Sequence, residues 1–148
     1  MEDFINEASL VDSVTGMLNE RAFWPLLEES LSICRQRNWP LSLLLIALPE
    51  ETGEQVAEVA RAIEQSVRQA RDGCCRLSEC LFAVILPGAG DSVASVVAAR
   101  LRAKIRALGV SPRIASSTTS ALPDDNAASE LFDRAEAVLE AVRQRSSS

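Results

Sequence analysis

Arg76-Leu-Ser-Glu-Cys-Leu-Phe-Ala-Val-Ile-Leu-Pro87 is the stretch whose reading decides the fold. Apolar residues run almost unbroken from Leu81 to Leu86, the pattern of a central strand covered on both faces. Arg76 and Leu77 close a preceding strand, and Ser78-Glu79-Cys80 is the tight turn between the two. The stretch is a β-hairpin, and the rest of the chain can be placed around it.

Upstream, residues 1–10 read as a lead-in helix or linker. Asn19 is an N-cap candidate for a helix reaching about Arg37, with Phe23, Leu26, Leu27, Leu31 and Cys34 on one stripe. Pro25 falls inside that helix and predicts either a later start or a local distortion. Trp39-Pro40 ends it, and Leu41–Leu48 is apolar enough for a central strand. Glu54–Ala70 repeats Val56, Val59, Ala60, Ile63, Val67 and Ala70 at three and four, which predicts an amphipathic helix. Asp72-Gly73 then turns the chain into the hairpin.

Downstream, Gly88-Ala89-Gly90 reads as a tight turn rather than a phosphate loop. It lacks a third glycine, and Asp91 would repel an anion. Asp91 or Ser92 should cap a helix to about Leu108, with Val93, Val96, Val97, Leu101 and Ile105 inward. Arg113–Ala121 is a Ser/Thr-rich strand whose Thr118 and Thr119 suit an edge or half-buried position. A last helix, Ala127–Gln144, should bury Leu131, Ala135, Val138, Leu139 and Val142, and Ser146–Ser148 is expected to be a disordered tail. Without the two flanking helices the order is β-α-β-β-α-β, the ferredoxin-like α+β arrangement. Right-handed crossovers put both middle helices on one face and leave the other to the first and last.

Composition narrows the function classes. The chain has 148 residues and a net charge of −6, which suits one domain and disfavours nucleic-acid binding. It has no histidine, which removes Ser-His and Cys-His nucleophiles and His-containing zinc sites. Cys34, Cys74, Cys75 and Cys80 lack paired Cys-x-x-Cys spacing. Adjacent Cys74 and Cys75 on a strand point to opposite faces, so free thiols, and no metal, are expected. Nothing is long enough to insert in a membrane; Leu41–Leu48 is far too short. The expectation is a cytoplasmic protein or the cytoplasmic part of a larger one. Trp24 is expected to cap the core, and Trp39 is a candidate interface anchor. Glu28-Glu29 and Glu50-Glu51 read as solvated charge.

Residues 11–145 resemble the GGDEF domain of diguanylate cyclases, a nucleotidyl-cyclase-type fold with this core. The family opens Asp-x-Leu-Thr-Gly-Leu-x-Asn-Arg-Arg-x-Phe; here stand Asp12, Val14, Thr15, Gly16, Met17, Asn19, Arg21 and Phe23. Asp72, Arg76 and Phe82–Pro87 are similar to the frame of its signature hairpin. Leu131, Ala135, Glu136, Leu139 and Arg143 resemble its last helix.

The signature itself, Gly-Gly-Asp/Glu-Glu-Phe, is replaced by Ser78-Glu79-Cys80-Leu81-Phe82. In the family the glycines admit the nucleotide and the carboxylates hold magnesium. Here side chains stand at Ser78 and Glu79, and neither Cys80 nor Leu81 suits that metal. Ala47 and Pro49 occupy the positions of the other metal carboxylates. The guanine-pocket stretch is deleted between Pro49 and Gly53, and Ser147 stands where the family carries an Arg. The resemblance therefore implies a degenerate, non-enzymatic domain with no GTP, no cofactor and no metal. It would act by protein contact or self-association in cyclic di-GMP signalling. The alternative is a cyclic di-GMP receptor at a remnant of the family's inhibitory Arg-x-x-Asp site. Asp72 is retained there, Gln69 replaces the Arg, and Arg68 and Arg71 flank it. The plainer reading of the same arginines, and the preferred one, is solvated charge favouring a helix C-terminus.

Overall fold

The computed structural model describes residues 9–68, 72–119 and 127–147. Its elements are α1 (Glu20–Gln36), β1 (Leu41–Ala47), a 3₁₀ segment (Glu50–Gln55), α2 (Val56–Gln65), β2 (Gly73–Ser78), β3 (Leu81–Pro87), α3 (Asp91–Ala107), β4 (Arg113–Thr118) and α4 (Ala127–Ser147). The strands form one antiparallel sheet in the order β2-β3-β1-β4. This is the expected ferredoxin-like order, with β1 and β3 innermost.

Alternation along the strands builds two cores. Leu44 and Ile46 of β1, with Phe82, Val84 and Leu86 of β3, face α2 and α3, where Val59, Ile63, Leu101 and Ile105 meet them. Leu43 and Leu45, with Ala83 and Ile85, face Phe23, Leu27 and Leu31 of α1 and Leu131, Ala135 and Leu139 of α4. Every residue of β1 is buried, so its apolar run satisfies both layers at once. Cys74 and Cys75 divide between the faces as adjacent strand residues must. No helix among the described residues is long and apolar enough to cross a membrane.

Helix boundaries follow local capping. Asn19 caps α1, its Oδ1 accepting the Ala22 amide at 3.3 Å. Pro25 does not delay the start; α1 runs through it, carried by buried Phe23, Leu27, Leu31 and Cys34. At the other end α2 stops at Gln65, not Ala70. The Ser66 hydroxyl donates back to the Ala62 carbonyl at 2.8 Å, and the Ser66 amide makes a tighter bond to Ile63. Before α2, Gly53 takes a φ of 53°, which kinks the 3₁₀ segment within its own span.

Two inward assignments are corrected. α3 is capped by Gly90 instead of Asp91 or Ser92. Its inward face is Ala94, Leu101 and Ile105, while Val93 and Val96 are 44% and 59% exposed. At about 100° per residue, Val93 and Val96 lie roughly 80° and 140° around the helix from Leu101, whereas Ala94 is nearly in phase with it. Val138 of α4 is likewise exposed while Leu131, Ala135 and Leu139 are buried. β4 ends at Thr118 on the sheet edge, and α4 stays helical through Ser147, past the expected end at Gln144. Residues 1–8, Ala121 and Ser148 lie outside the described residues.

Phe82, the one signature residue retained, is fully buried against α2 and α3. Phe82→Ala is expected to lower unfolding free energy by about 3–5 kcal/mol in urea titration. A loss below 1 kcal/mol would contradict a structural role for this ring.

Candidate functional site

The hairpin turn is built without glycine. β2 and β3 pair Cys75 with Ala83 and Arg76 with Phe82, then shift register before Ser78 pairs with Leu81. Glu79 and Cys80 form the two-residue turn. Positive φ among the described residues is confined to Gly16, Asn38, Gly53, Gly88 and Gly109, so the turn uses ordinary L-residue backbone. The irregularity at Arg76–Ser78 supplies the twist that a glycine pair would otherwise allow.

Arg76 holds this turn from beneath. Its Nη2 donates to the Glu79 carbonyl at 2.8 Å, and its Nη1 donates to Asp12 Oδ2 at 3.1 Å. The Asp12 carboxylate in turn accepts from the Thr15 amide at 2.9 Å and the Thr15 hydroxyl at 2.8 Å. Gly16, at φ 77°, lets the segment double back so that Asp12 and Met17 meet. The Arg76 amide then bonds the Leu18 carbonyl at 2.8 Å, and Leu18 bridges Cys75 along the outer edge of β2. The opening motif is thus a clamp on the hairpin. The ion pair is largely shielded, with the side chains of Arg76 and Asp12 12% and 21% exposed. Burial alone would raise the Asp12 pKa, but the Thr15 hydroxyl and amide and the Arg76 guanidinium outweigh it and hold the carboxyl below its ordinary value.

A cleft of about 640 Å³ opens beyond the turn, where Cys80 and Leu81 face Ala47 and Pro49. The Cys80 carbonyl accepts the Leu48 amide at 2.8 Å, and its Sγ donates to the Pro49 carbonyl at 3.6 Å. Burial raises the Cys80 thiol pKa, and Glu79, Glu50 and Glu51 raise it further against the lowering effect of Arg76. The neutral thiol is neither an activated nucleophile nor a ligand for a hard cation. Ala47, Pro49 and Leu81 offer no side-chain donor at all, so the residues at the family's metal positions do not fit magnesium. Among the described residues, no three His, Cys, Asp or Glu side chains converge as a group that could hold a metal. The walls carry Glu50, Glu51, Glu136 and Glu140 against Arg113, whose Nη1 donates to the Leu139 carbonyl.

At the opposite end of the hairpin, Arg68 and Asp72 lie on one groove. Asp72 Oδ2 accepts the Arg68 amide at 2.9 Å, and the Asp72 amide returns to the Arg68 carbonyl at 2.7 Å. The carboxylate therefore closes a backbone loop. Arg71 and Gln69 lie outside the described residues. Gly88-Ala89-Gly90 is a tight turn, with Gly88 at φ 80° and the Ala89 carbonyl accepting the Ser42 hydroxyl at 2.8 Å. Trp24 is half-buried beside Phe23 and Phe132, as a core cap should be, and the Arg37 guanidinium lies 4.9 Å from the Trp39 ring centre. The Cys74 and Cys75 thiols are both pushed up to about 12, chiefly by burial. The Asp12–Arg76 clamp was missed by sequence reasoning, since its partners are 64 residues apart.

The family model for the diguanylate cyclase GGDEF domain matches residues 9–148. Three similar solved structures give the same fold. Diguanylate cyclase SiaD of Pseudomonas aeruginosa, in complex with its activator SiaC, is 22% identical with a TM-score of 0.81; the match covers 97% of this chain and 62% of that one. The GGDEF domain of DgcB from Caulobacter crescentus, in complex with c-di-GMP, is 18% identical with a TM-score of 0.82, covering 93% and 89%. The FimX GGDEF domain of Pseudomonas aeruginosa is 17% identical with a TM-score of 0.79, covering 93% and 96%. No curated protein matches the chain.

Two predictions come from this geometry. Asp12→Asn should lower stability by about 2 kcal/mol at neutral pH, because it removes the partner of a shielded guanidinium. With its folded pKa depressed, Asp12 contributes stability above its unfolded pKa and loses it as pH falls through the folded value. The difference between the two proteins in urea should therefore vanish below the carboxylate range; a gap independent of pH would refute the electrostatic origin. Ser78→Gly and Glu79→Gly should each destabilise by about 0.4–1 kcal/mol, since neither position uses positive φ. A gain in thermal midpoint would show that the turn is strained by its side chains.

Proposed function

The chain belongs to the GGDEF family, and from that premise we propose that it is a non-catalytic member serving cyclic di-GMP signalling through contact with a protein. The observation that carries this reading is the composition of the cleft at the hairpin turn. Ala47, Pro49, Cys80 and Leu81 meet where the family places its metal carboxylates, and four glutamates against one arginine line the walls. Phosphoryl transfer depends on a positioned cation that neutralises developing charge. A net-acidic wall opposes a triphosphate instead of cradling it. The free cysteines suit a reducing, cytoplasmic setting. The SiaD structure, captured with a protein activator, supports protein contact as a mode open to such domains.

A second reading, a cyclic di-GMP receptor, is favoured by one observation. Arg68 and Asp72 share a groove, and the DgcB domain was solved with that nucleotide. Against it, the Asp72 carboxylate already accepts the Arg68 amide.

Incubation with GTP and magnesium or manganese, followed by chromatography, should give no cyclic dinucleotide above a protein-free blank. Ala47→Asp with Leu81→Glu should not restore it, because the guanine stretch and signature glycines are also missing. Product from the wild-type chain would overturn the non-catalytic reading. Titration calorimetry with cyclic di-GMP separates the second reading: saturable heat abolished by Asp72→Ala would establish a receptor.

A further inference from the structure

α3 turns two valines away from the core. Val93 and Val96 are 44% and 59% exposed, although β-branched residues on a solvated helix face weaken the helix. They do not stand singly. With Val67 and Val97 they wall a groove of about 250 Å³, floored by Leu86 and Pro87 at the end of β3. The groove is rimmed by Arg68 and Arg100. Arg100 is held in place by a 3.2 Å bond from its Nη1 to the Ser66 carbonyl. Asp72 also reaches the groove, but its Oδ2 accepts from the Arg68 amide. The result is an aliphatic slot bordered by two arginines and one carboxylate, a net positive rim on a chain whose net charge is −6.

The geometry points to this groove as the docking site for a short acidic–aliphatic segment of a partner protein, its aliphatic side chains against Val93 and Val96 and its carboxylate between Arg68 and Arg100. The inference rests on the protein-contact reading above and names the surface and the partner chemistry. Charge complementarity selects the occupant. A cyclic dinucleotide meets aliphatic walls and a volume below the roughly 300–1,000 Å³ typical of small-molecule pockets. Contiguous apolar surface bordered by charge is the usual mark of a protein interaction site.

The test uses the ¹⁵N-labelled 148-residue chain and three synthetic peptides: acetyl-Leu-Glu-Leu-Leu-Glu-amide, its lysine counterpart and its serine counterpart. The acidic–aliphatic peptide should give saturable amide shifts at Val67, Val93, Val96 and Arg100, with the other two binding roughly tenfold more weakly or not at all. Val96→Asp and Arg100→Glu should each weaken binding roughly tenfold; Val96→Asp should leave the thermal midpoint nearly unchanged, since that side chain is exposed, whereas Arg100→Glu should lower it slightly through loss of the bond to the Ser66 carbonyl. Arg100→Glu should reverse the preference toward the lysine peptide. Absent shifts, equal binding of all three peptides, shifts mapping elsewhere, or displacement of the peptide by cyclic di-GMP would each overturn the proposal. GTP turnover is measured on the same preparation. Product there would sink the non-catalytic reading whatever the peptides do, whereas no product and no peptide shifts would sink the docking proposal alone.

Discussion

β1 and β3 pair along their whole length with both faces covered, and this constraint organises the molecule. Two strands buried on both sides must be apolar at nearly every position, because a buried polar group without a partner costs several kcal/mol. The one polar residue of β1, Ser42, is buried and donates to the Ala89 carbonyl. Such a pair demands two helical layers. α2 and α3 supply one, α1 and α4 the other, and only β2 and β4 are left at the edges. β2 is partly covered in turn by Leu18, which takes up the Arg76 amide.

The hairpin turn hangs from this frame but contributes little to it. Its conformation is held by Arg76, which ties the Glu79 carbonyl to Asp12, and by backbone bonding between Leu48 and Cys80. None of those bonds depends on the side chains of Ser78, Glu79 or Leu81. A chain can therefore replace every chemically active position of the turn and keep the turn. The glycines are dispensable for the same reason, since Ser78 and Glu79, which stand at their positions, do not use positive φ. Phe82 is the exception because its ring belongs to the core.

Much of this was legible in the residues. The apolar run of β3, the Asn19 cap and the alternation that sends Cys74 and Cys75 to opposite faces are local signals with one physical reading each. The phase of α3 was not. Val93, Val96 and Val97 fit a helical stripe as well as Ala94, Val97 and Leu101 do, and hydrophobicity alone prefers the valines. The packed helix chooses otherwise because Leu101 and Ile105 are buried on one face and Ala94 is nearly in phase with them. The end of α2 turned on a hydroxyl, since Ser66 competes for the Ala62 carbonyl and no periodicity reports that. The clamp between Asp12 and Arg76 joins residues far apart in sequence. The motif residues were visible one by one through their resemblance to a family, while the bond between them needed coordinates.

Charge and apolar surface are distributed unevenly over the two ends of the hairpin. Near its turn stand Glu50, Glu51, Glu136 and Glu140, which lower the affinity of that cleft for any anion. Near its open end stand Arg68 and Arg100 beside exposed valines, in a molecule that is acidic as a whole. Such separation gives a dipolar surface, and on the docking proposal it steers an acidic segment away from the cleft at the turn and toward α3. Steering of this kind weakens with ionic strength, while the contact of valines with aliphatic side chains does not. The two contributions act on different quantities, the charges on the rate of encounter and the apolar contact on the lifetime of the complex. The proposed interaction does not depend on the chemistry of the turn, because the field and the slot belong to helices and strand ends at the other end of the hairpin.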